Sequence, residues 1–185
     1  IAIIGDVHLG RSQEIGKPGI GGQYNSRVID QINLLNWCLN EAHVRNVTDI
    51  ILTGDITEDS KPDYYLMDEF FKWVVRCAAD GIHIHVIRGN HDFKRFGSNV
   101  SSPLDLLDSG RLKNVTLYRQ PATFHVGTIG VTILPFLDKR MHGASNSDAI
   151  ESIRKIIDLQ RAEVLPGNTA ILVGHLALEG SIPIG

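Results

Sequence analysis

The chain has no long apolar run, almost no cysteine and no surplus of positive charge. No stretch approaches the roughly 20 apolar residues that a membrane-spanning helix needs, and no charged-then-apolar leader opens the chain, so a cytoplasmic protein with no membrane association is the default expectation. Only Cys38 and Cys77 occur among the 185 residues. Each lies in a stretch of helical periodicity, which argues against a disulfide framework and reads both as core thiols in a reducing compartment. A formal net charge of -3 argues against binding nucleic acid through bulk positive charge but leaves room for local basic patches. What is present is ordinary globular material: 43% hydrophobic and 21% charged residues, in one domain's worth of chain. Ile1 already lies inside an apolar run and the closing "GSIPIG" carries no terminal helix or polar tail. The expectation is one domain over residues 1–185, cut at both ends from something longer.

Apolar, β-branched runs alternate with amphipathic stretches. The runs are "IAIIGD", "TDIILTGD" and "IHIHVIRGN", then "NVTLY", "ATFHV", "GVTILPF" and finally "TAILVGH". Between the early ones lie "SRVIDQINLLNWCLNEAHVRN" and "YYLMDEFFKWVVRCAADG", whose apolar residues recur at three and four positions. Asp80 and Gly81 close the second as a helix end should be closed. Strand, helix, strand, helix, strand is the order of a doubly wound parallel sheet. From Asn114 to Phe136 three short runs broken by "RQPA" and "GTIG" predict a meander or second sheet. A third helix follows in "SNSDAIESIRKIIDLQRAEVL", with Ser or Asn as N-cap and Pro166 and Gly167 beyond its end. The loop "GRSQEIGKPGIGGQYNS" stands apart as Gly-rich and polar.

In open parallel sheets functional groups collect at the carboxyl ends of the strands. The first candidate strand delivers Asp6 and His8, the second Asp55, the third Asn90, His91 and Asp92, and the last His175. An extended Asp-x-His would place Asp6 and His8 on one face, with Val7 packing inward. Gly54, Gly89 and Gly174 precede the polar groups and allow sharp turns and close backbone approach. Oxygen and nitrogen ligands without thiolates suit Mn²⁺, Fe or Zn²⁺. With Asp55 as a bridging carboxylate, two ions about 3.5 to 4 Å apart would fit.

The series "GDVH", "GD", "GNHD", "GH" resembles the calcineurin-like metallophosphoesterase superfamily, in the correct order over almost the whole chain. The resemblance implies an α/β fold, a four-layer α-β-β-α sandwich with two central mixed sheets. It also implies two divalent metal ions, Mn²⁺ foremost with Fe, Zn²⁺ or Mg²⁺ as alternatives. Asp6 and His8 would bind the first ion, Asp55 would bridge, and Asn90 and His175 would bind the second. A bridging hydroxide would attack phosphorus, with His91 as acid or electrostatic group opposite and Asp92 orienting it. The family carries a further Gly-His-x-His pair, which does not follow His175 here; the expectation is that it lies beyond this stretch.

Within the superfamily, "GDITED" and "GNHD" depart from the Arg and Glu of the protein phosphatases. "DVHLGR", the stretch "RLKNVTLYRQPATFHVGTIGVTILPF" and "GHLALEG" look like the nuclease subunit of double-strand-break-repair nucleases, the SbcD type, including phage recombination nucleases. That likeness implies a DNA exonuclease or endonuclease of repair or recombination, working with an ATPase subunit and as a homodimer. Thr57 and Glu58 stand where that branch usually has an aromatic residue and Asp. Thr57 is similar instead to cyclic-nucleotide phosphodiesterases, which form the alternative. A non-catalytic, partner-binding subunit is the reading from another class, and the intact His91 and Asp92 weigh against it.

For DNA, Arg11, Lys17, Lys94 and Arg95 are the candidate backbone contacts, and Tyr24, Phe93 and Phe96 the candidates for stacking on bases. His83 and His85 alternate in "IHIHVI", share one face of a strand, and lie away from its carboxyl end, so they read as packing residues. His43, His125 and His142 read as surface or satisfied histidines. Trp37 and Trp73 read as core, and Asp68 and Glu69 as a solvated helix face.

Overall fold

The computed structural model describes residues 1–10, 16–17, 24–96, 99–108, 110, 112–138, 142 and 145–176. The chain forms two compact units, Ile1–Leu117 and Tyr118–Gly185. The first runs β1 (Ala2–Ile4), α1 (Ser26–Val44), β2 (Asp49–Leu52), α2 (Tyr64–Ala79) and β3 (His83–Ile87). A small hairpin follows, β4 (Lys94–Phe96) with β5 (Asn99–Ser101), then a 3-10 turn, Pro103–Asp108, and β6 (Val115–Tyr118) at the boundary. The sheet order is β1-β2-β3-β6, with β1, β2 and β3 mutually parallel.

Local chemistry sets these elements. Asn25 accepts from the Arg27 amide to cap α1, and Asp63 does the same from the Tyr65 amide for α2, each satisfying a donor the helix start leaves open. Gly81, at φ +81°, ends α2 in the left-handed conformation that glycine adopts without steric cost. α2 turns Leu66, Met67, Phe70, Trp73, Val74 and Cys77 inward, the spacing of one helical face. All four residues of β2 are buried, as befits a strand covered on both sides.

Trp73 is 1% exposed, and its indole nitrogen donates to the Leu35 carbonyl of α1 at 2.7 Å. Trp37 is a correction to the sequence reading: it is 57% exposed. With Leu35 and Leu39 buried on α1, a residue two positions from each sits on the far side of a 3.6-residue turn. Cys38 is likewise only half-buried, whereas burial pushes the fully enclosed Cys77 thiol up to about 12. Asp68 and Glu69 do form a solvated face, paired with Lys72 at 2.7 and 2.8 Å.

In the second unit β7 (Ala122–Val126) runs antiparallel to β8 (Ile129–Leu134), and β8 pairs in parallel with β9 (Thr169–Gly174). The crossover carries α3 (Asn146–Ala162), which starts in a capping box between Ser145 and Asp148. Of the three short runs expected to share a second sheet, only two do. "NVTLY" becomes β6 and joins β3 in the first sheet, where the Asn114 carbonyl accepts from the Ile84 amide. Alternation gives a strand's faces but not its partner. Each unit is a sheet with its helices, in keeping with the expected α/β class. Among the described residues, no helix is long and apolar enough to cross a membrane.

The chain leaving β3 passes so close to the chain leaving β2 that a Cβ on Gly89 would lie 2.2 Å from both the amide nitrogen and Oδ1 of Asp55. Gly89→Ala is therefore expected to cost about 2–4 kcal/mol, seen as a lowered denaturant midpoint. Trp73→Phe should cost about 2 kcal/mol by removing the buried indole's hydrogen bond to the Leu35 carbonyl and opening a small void. Trp37→Phe should change stability by no more than about 0.5 kcal/mol. Equal losses for the two tryptophans would contradict the placement of α1.

Candidate metal centre

The backbone pairing of β1 and β2 continues past the ends of both strands. The amides of His8 and Leu9 donate to the carbonyls of Asp55 and Ile56, each at 2.9 Å, and the Glu58 amide donates to Leu9 at 3.1 Å. The loops after β1 and β2 thus travel side by side. Gln31 of α1 fixes the first one, donating to the His8 carbonyl at 2.8 Å and accepting from the Gly10 amide at 3.2 Å.

Among the described non-glycine residues, four have positive φ: Asp6 and His8 at +43°, Asp55 at +46° and Asn46 at +53°. Three of the four are candidate metal ligands. Left-handed backbone at such residues is costly and persists only where the surroundings enforce it. This corrects the expectation of an extended Asp6-Val7-His8. β1 ends at Ile4, and the chain must turn sharply to cross the strand ends. Val7 still packs against the core.

The turns bring His8, Asp55, Glu58 and His91 together. His8 Nε2 lies 3.7 Å from Asp55 Oδ2, longer than a hydrogen bond and compatible with two ligands of one ion. His8 Nδ1 lies 3.0 Å from Glu58 Oε2. The His8 and His91 rings meet edge to face at 5.4 Å. The His91 amide donates to Asp55 Oδ1 at 3.0 Å, and its ring Nδ1 sits 2.6 Å from the Glu58 carbonyl. Since a carbonyl only accepts, Nδ1 carries the proton and Nε2 is the nitrogen left for chemistry.

Asp92 differs from its expected role of orienting His91. It is fully buried, with Oδ1 accepting from the Thr57 amide at 2.9 Å and Oδ2 from the Gly89 amide at 2.8 Å. It ties the loop after β2 to the loop after β3, and burial pushes its carboxyl above the usual range against those hydrogen bonds.

Asn90 is exposed and, with Asp59, Ser60, His91 and Phe93, lines an open cleft of about 220 Å³. Asp6 is also exposed. His175 follows β9 in the second unit, its amide donating to the Leu134 carbonyl at 2.9 Å and its ring edge-on to Phe136. Lys94 and Arg95 are exposed on β4. Lys17 is exposed too, its backbone bonded to Ser26. Arg11 and the side chain of Phe96 lie outside the described residues. Two of the aromatic candidates meet protein groups: Tyr24 stacks on Tyr65 at 3.9 Å, and the Arg88 guanidinium covers Phe93 at 4.7 Å.

The sequence reading missed Glu58 as a site residue, treating it only as a departure from a motif. The available signal was an acid three positions after Asp55. His8 Nδ1 and Glu58 Oε2 are buried and, despite their 3.0 Å separation, lack a well-directed hydrogen bond. Orphaned polar atoms beside convergent carboxylate and imidazole donors fit a site that takes a hard or borderline cation. One further group of metal-ligand type occurs among the described residues, Asp49, His83 and His85, at the opposite end of the strands.

A calcineurin-like phosphoesterase family model matches residues 1–182. The chain is also 33% identical over 67 residues to the SbcD subunit of the nuclease SbcCD from Escherichia coli K12, and equally to its counterpart from Escherichia coli O157:H7. The matched stretch covers 36% of this chain and 17% of each relative's length. Mixed α/β units and a family-model match over nearly every residue agree, and the chain belongs to the calcineurin-like phosphoesterase family.

Proposed function

We propose that this protein hydrolyses phosphodiester bonds with two divalent metal ions and that its substrate is DNA. The observation that carries the hydrolytic reading is the convergence of His8, Asp55 and His91 at adjoining strand ends, with Asp55 buried. Asp6, His8 and Asp55 would hold one ion and Asp55 and Asn90 the other, with His175 the further ligand that the family resemblance implies. Mn²⁺ suits the oxygen-rich set, with Fe, Zn²⁺ or Mg²⁺ as alternatives. Such ions supply an activated water near neutral pH and offset charge on the phosphoryl oxygens.

The protein's own contribution is placement. Asp55 is held on three sides: its carbonyl by the His8 amide, its Oδ1 by the His91 amide, and its flank by the bare Gly89. His91, with Nδ1–H fixed on the Glu58 carbonyl, turns Nε2 to the site, where the doubly protonated ring would donate its Nε2 proton to the leaving oxygen. Asp92 acts one step back, holding the two loops in register. Glu58 Oε2 stands 3.0 Å from His8 Nδ1 and would take a hydrogen bond from that nitrogen once His8 ligates through Nε2.

DNA as substrate is supported by the partial likeness to the SbcCD nuclease subunit and by exposed Lys17, Lys94 and Arg95, with Arg11 as a further backbone contact. An ATPase subunit and a second copy of the chain are the partners this reading carries, and residues 1–185 serve as its metallophosphoesterase domain.

The test is degradation of linear DNA in Mn²⁺ by the full-length protein, beside a cyclic-nucleotide control. His91→Ala should lower turnover by about two to four orders of magnitude while metal occupancy stays near that of the parent. Emptying of the metal site in that variant would remove His91 from its role. Asp55→Asn should weaken both ions together in a calorimetric titration, because a bridging carboxylate serves both. Loss of one ion alone would contradict bridging. Hydrolysis of the cyclic nucleotide with DNA untouched would replace the substrate.

A further inference from the structure

Asp49 and His83 open β2 and β3 and are direct register partners across that parallel pair. His85, two residues along, shares the face of His83. The two rings stack at 4.2 Å and 11°. His85 Nε2 lies 3.0 Å from Asp49 Oδ1, and Asp49 Oδ2 accepts from the Thr48 hydroxyl at 2.6 Å. On the other side, His83 Nε2 meets the hydroxyl of Thr116, from β6, at 2.9 Å. One carboxylate oxygen and two imidazole nitrogens all lie within 4.8 Å of one another. The strands run parallel, so this cluster sits at their amino ends, roughly 15 Å along the sheet from the carboxyl-end site.

We infer that Asp49, His83 and His85 form a second, separate divalent-cation site, selective for zinc-type ions, that clamps β2 to β3. Two imidazoles and one carboxylate are a ligand set that zinc takes with a fourth position open, whereas Mn²⁺ and Mg²⁺ favour oxygen-rich sets. Donors about 3.3 Å apart would suit a tetrahedral ion with bonds near 2.1 Å. The Asp49–His85 pair is already close to that spacing, and His83, only half-buried, has the freedom to close the rest. The Thr116 hydroxyl or a water completes the shell. Bound there, the ion would tie adjacent strands at their starting register.

The experiment is zinc stoichiometry and thermal midpoint on the full-length protein after chelator treatment, with cobalt as a spectroscopic stand-in. Because His85 is 2% exposed and its replacement endangers the fold, the primary variant is His83→Gln, with His85→Gln as a second. Of the zinc the parent binds, one equivalent should survive in Asp55→Asn and be lost in His83→Gln. Zinc should raise the midpoint of the parent by about 4 °C or more, and His83→Gln should erase that rise while keeping Mn²⁺-dependent hydrolysis within about twofold of the parent, an effect of under 0.5 kcal/mol. Tetrahedral cobalt bands should appear in Asp55→Asn and be absent from His83→Gln. Unchanged zinc stoichiometry in His83→Gln, or loss of all zinc in Asp55→Asn, would overturn the inference. Absence of hydrolysis in every form would speak against the proposed function and leave the zinc count to decide this one.

Discussion

The structure of the site depends on the crowding around Asp55. Its backbone is left-handed, its carbonyl accepts from His8, and its carboxylate accepts from the His91 amide. The chain after β3 approaches within a distance that only glycine allows. A carboxylate so constrained cannot drift, and two of the neighbours that constrain it, His8 and His91, are themselves candidate site residues. Strain at one buried position is thus spread over three loops, which is how a fold sustains backbone that a free peptide would avoid.

Asp92 gives those loops a common anchor. A buried carboxylate without partners is expensive, and here its two oxygens satisfy the amides of Thr57 and Gly89. Two backbone donors that would be stranded at the strand ends find an acceptor. The sequence "GNHD" therefore does three jobs in three different places. Asn90 faces solvent at the cleft, His91 leans on Glu58, and Asp92 points into the protein to hold what stands behind them.

The first sheet is polar at both ends and apolar between them. Ile50, Ile51 and Leu52, with Ile84, Val86 and Ile87, form the buried middle. The carboxyl ends carry Asp55 and the residues around it; the amino ends carry Asp49, His83 and His85. Both polar groups use buried charge or imidazole that the apolar middle would not tolerate alone. The stacked His83–His85 pair was legible as two side chains on one strand face. Its carboxylate partner was not, because Asp49 comes from a neighbouring strand 34 positions earlier in the chain, and only register brings it alongside.

The elements and the chemistry at their ends are written locally in the chain. Helical spacing with Asn25, Asp63 and Ser145 as caps places α1, α2 and α3, and the polar groups following β-branched runs mark Asp6, His8, Asp55, Asn90, His91 and His175. Such signals need only a few neighbouring residues. The rest required the folded chain. Folding put Trp37 outside and Trp73 inside, although both lie in amphipathic helices, because a buried face depends on what a helix packs against. It moved β6 into the first sheet, since alternation names no partner. It turned Asp6 and His8 left-handed where the motif alone read as extended, and it brought in Glu58, because the loops after β1 and β2 pair beyond their strands. Spacing along a chain fixes which side chains share a face, and packing between distant segments fixes which of them meet.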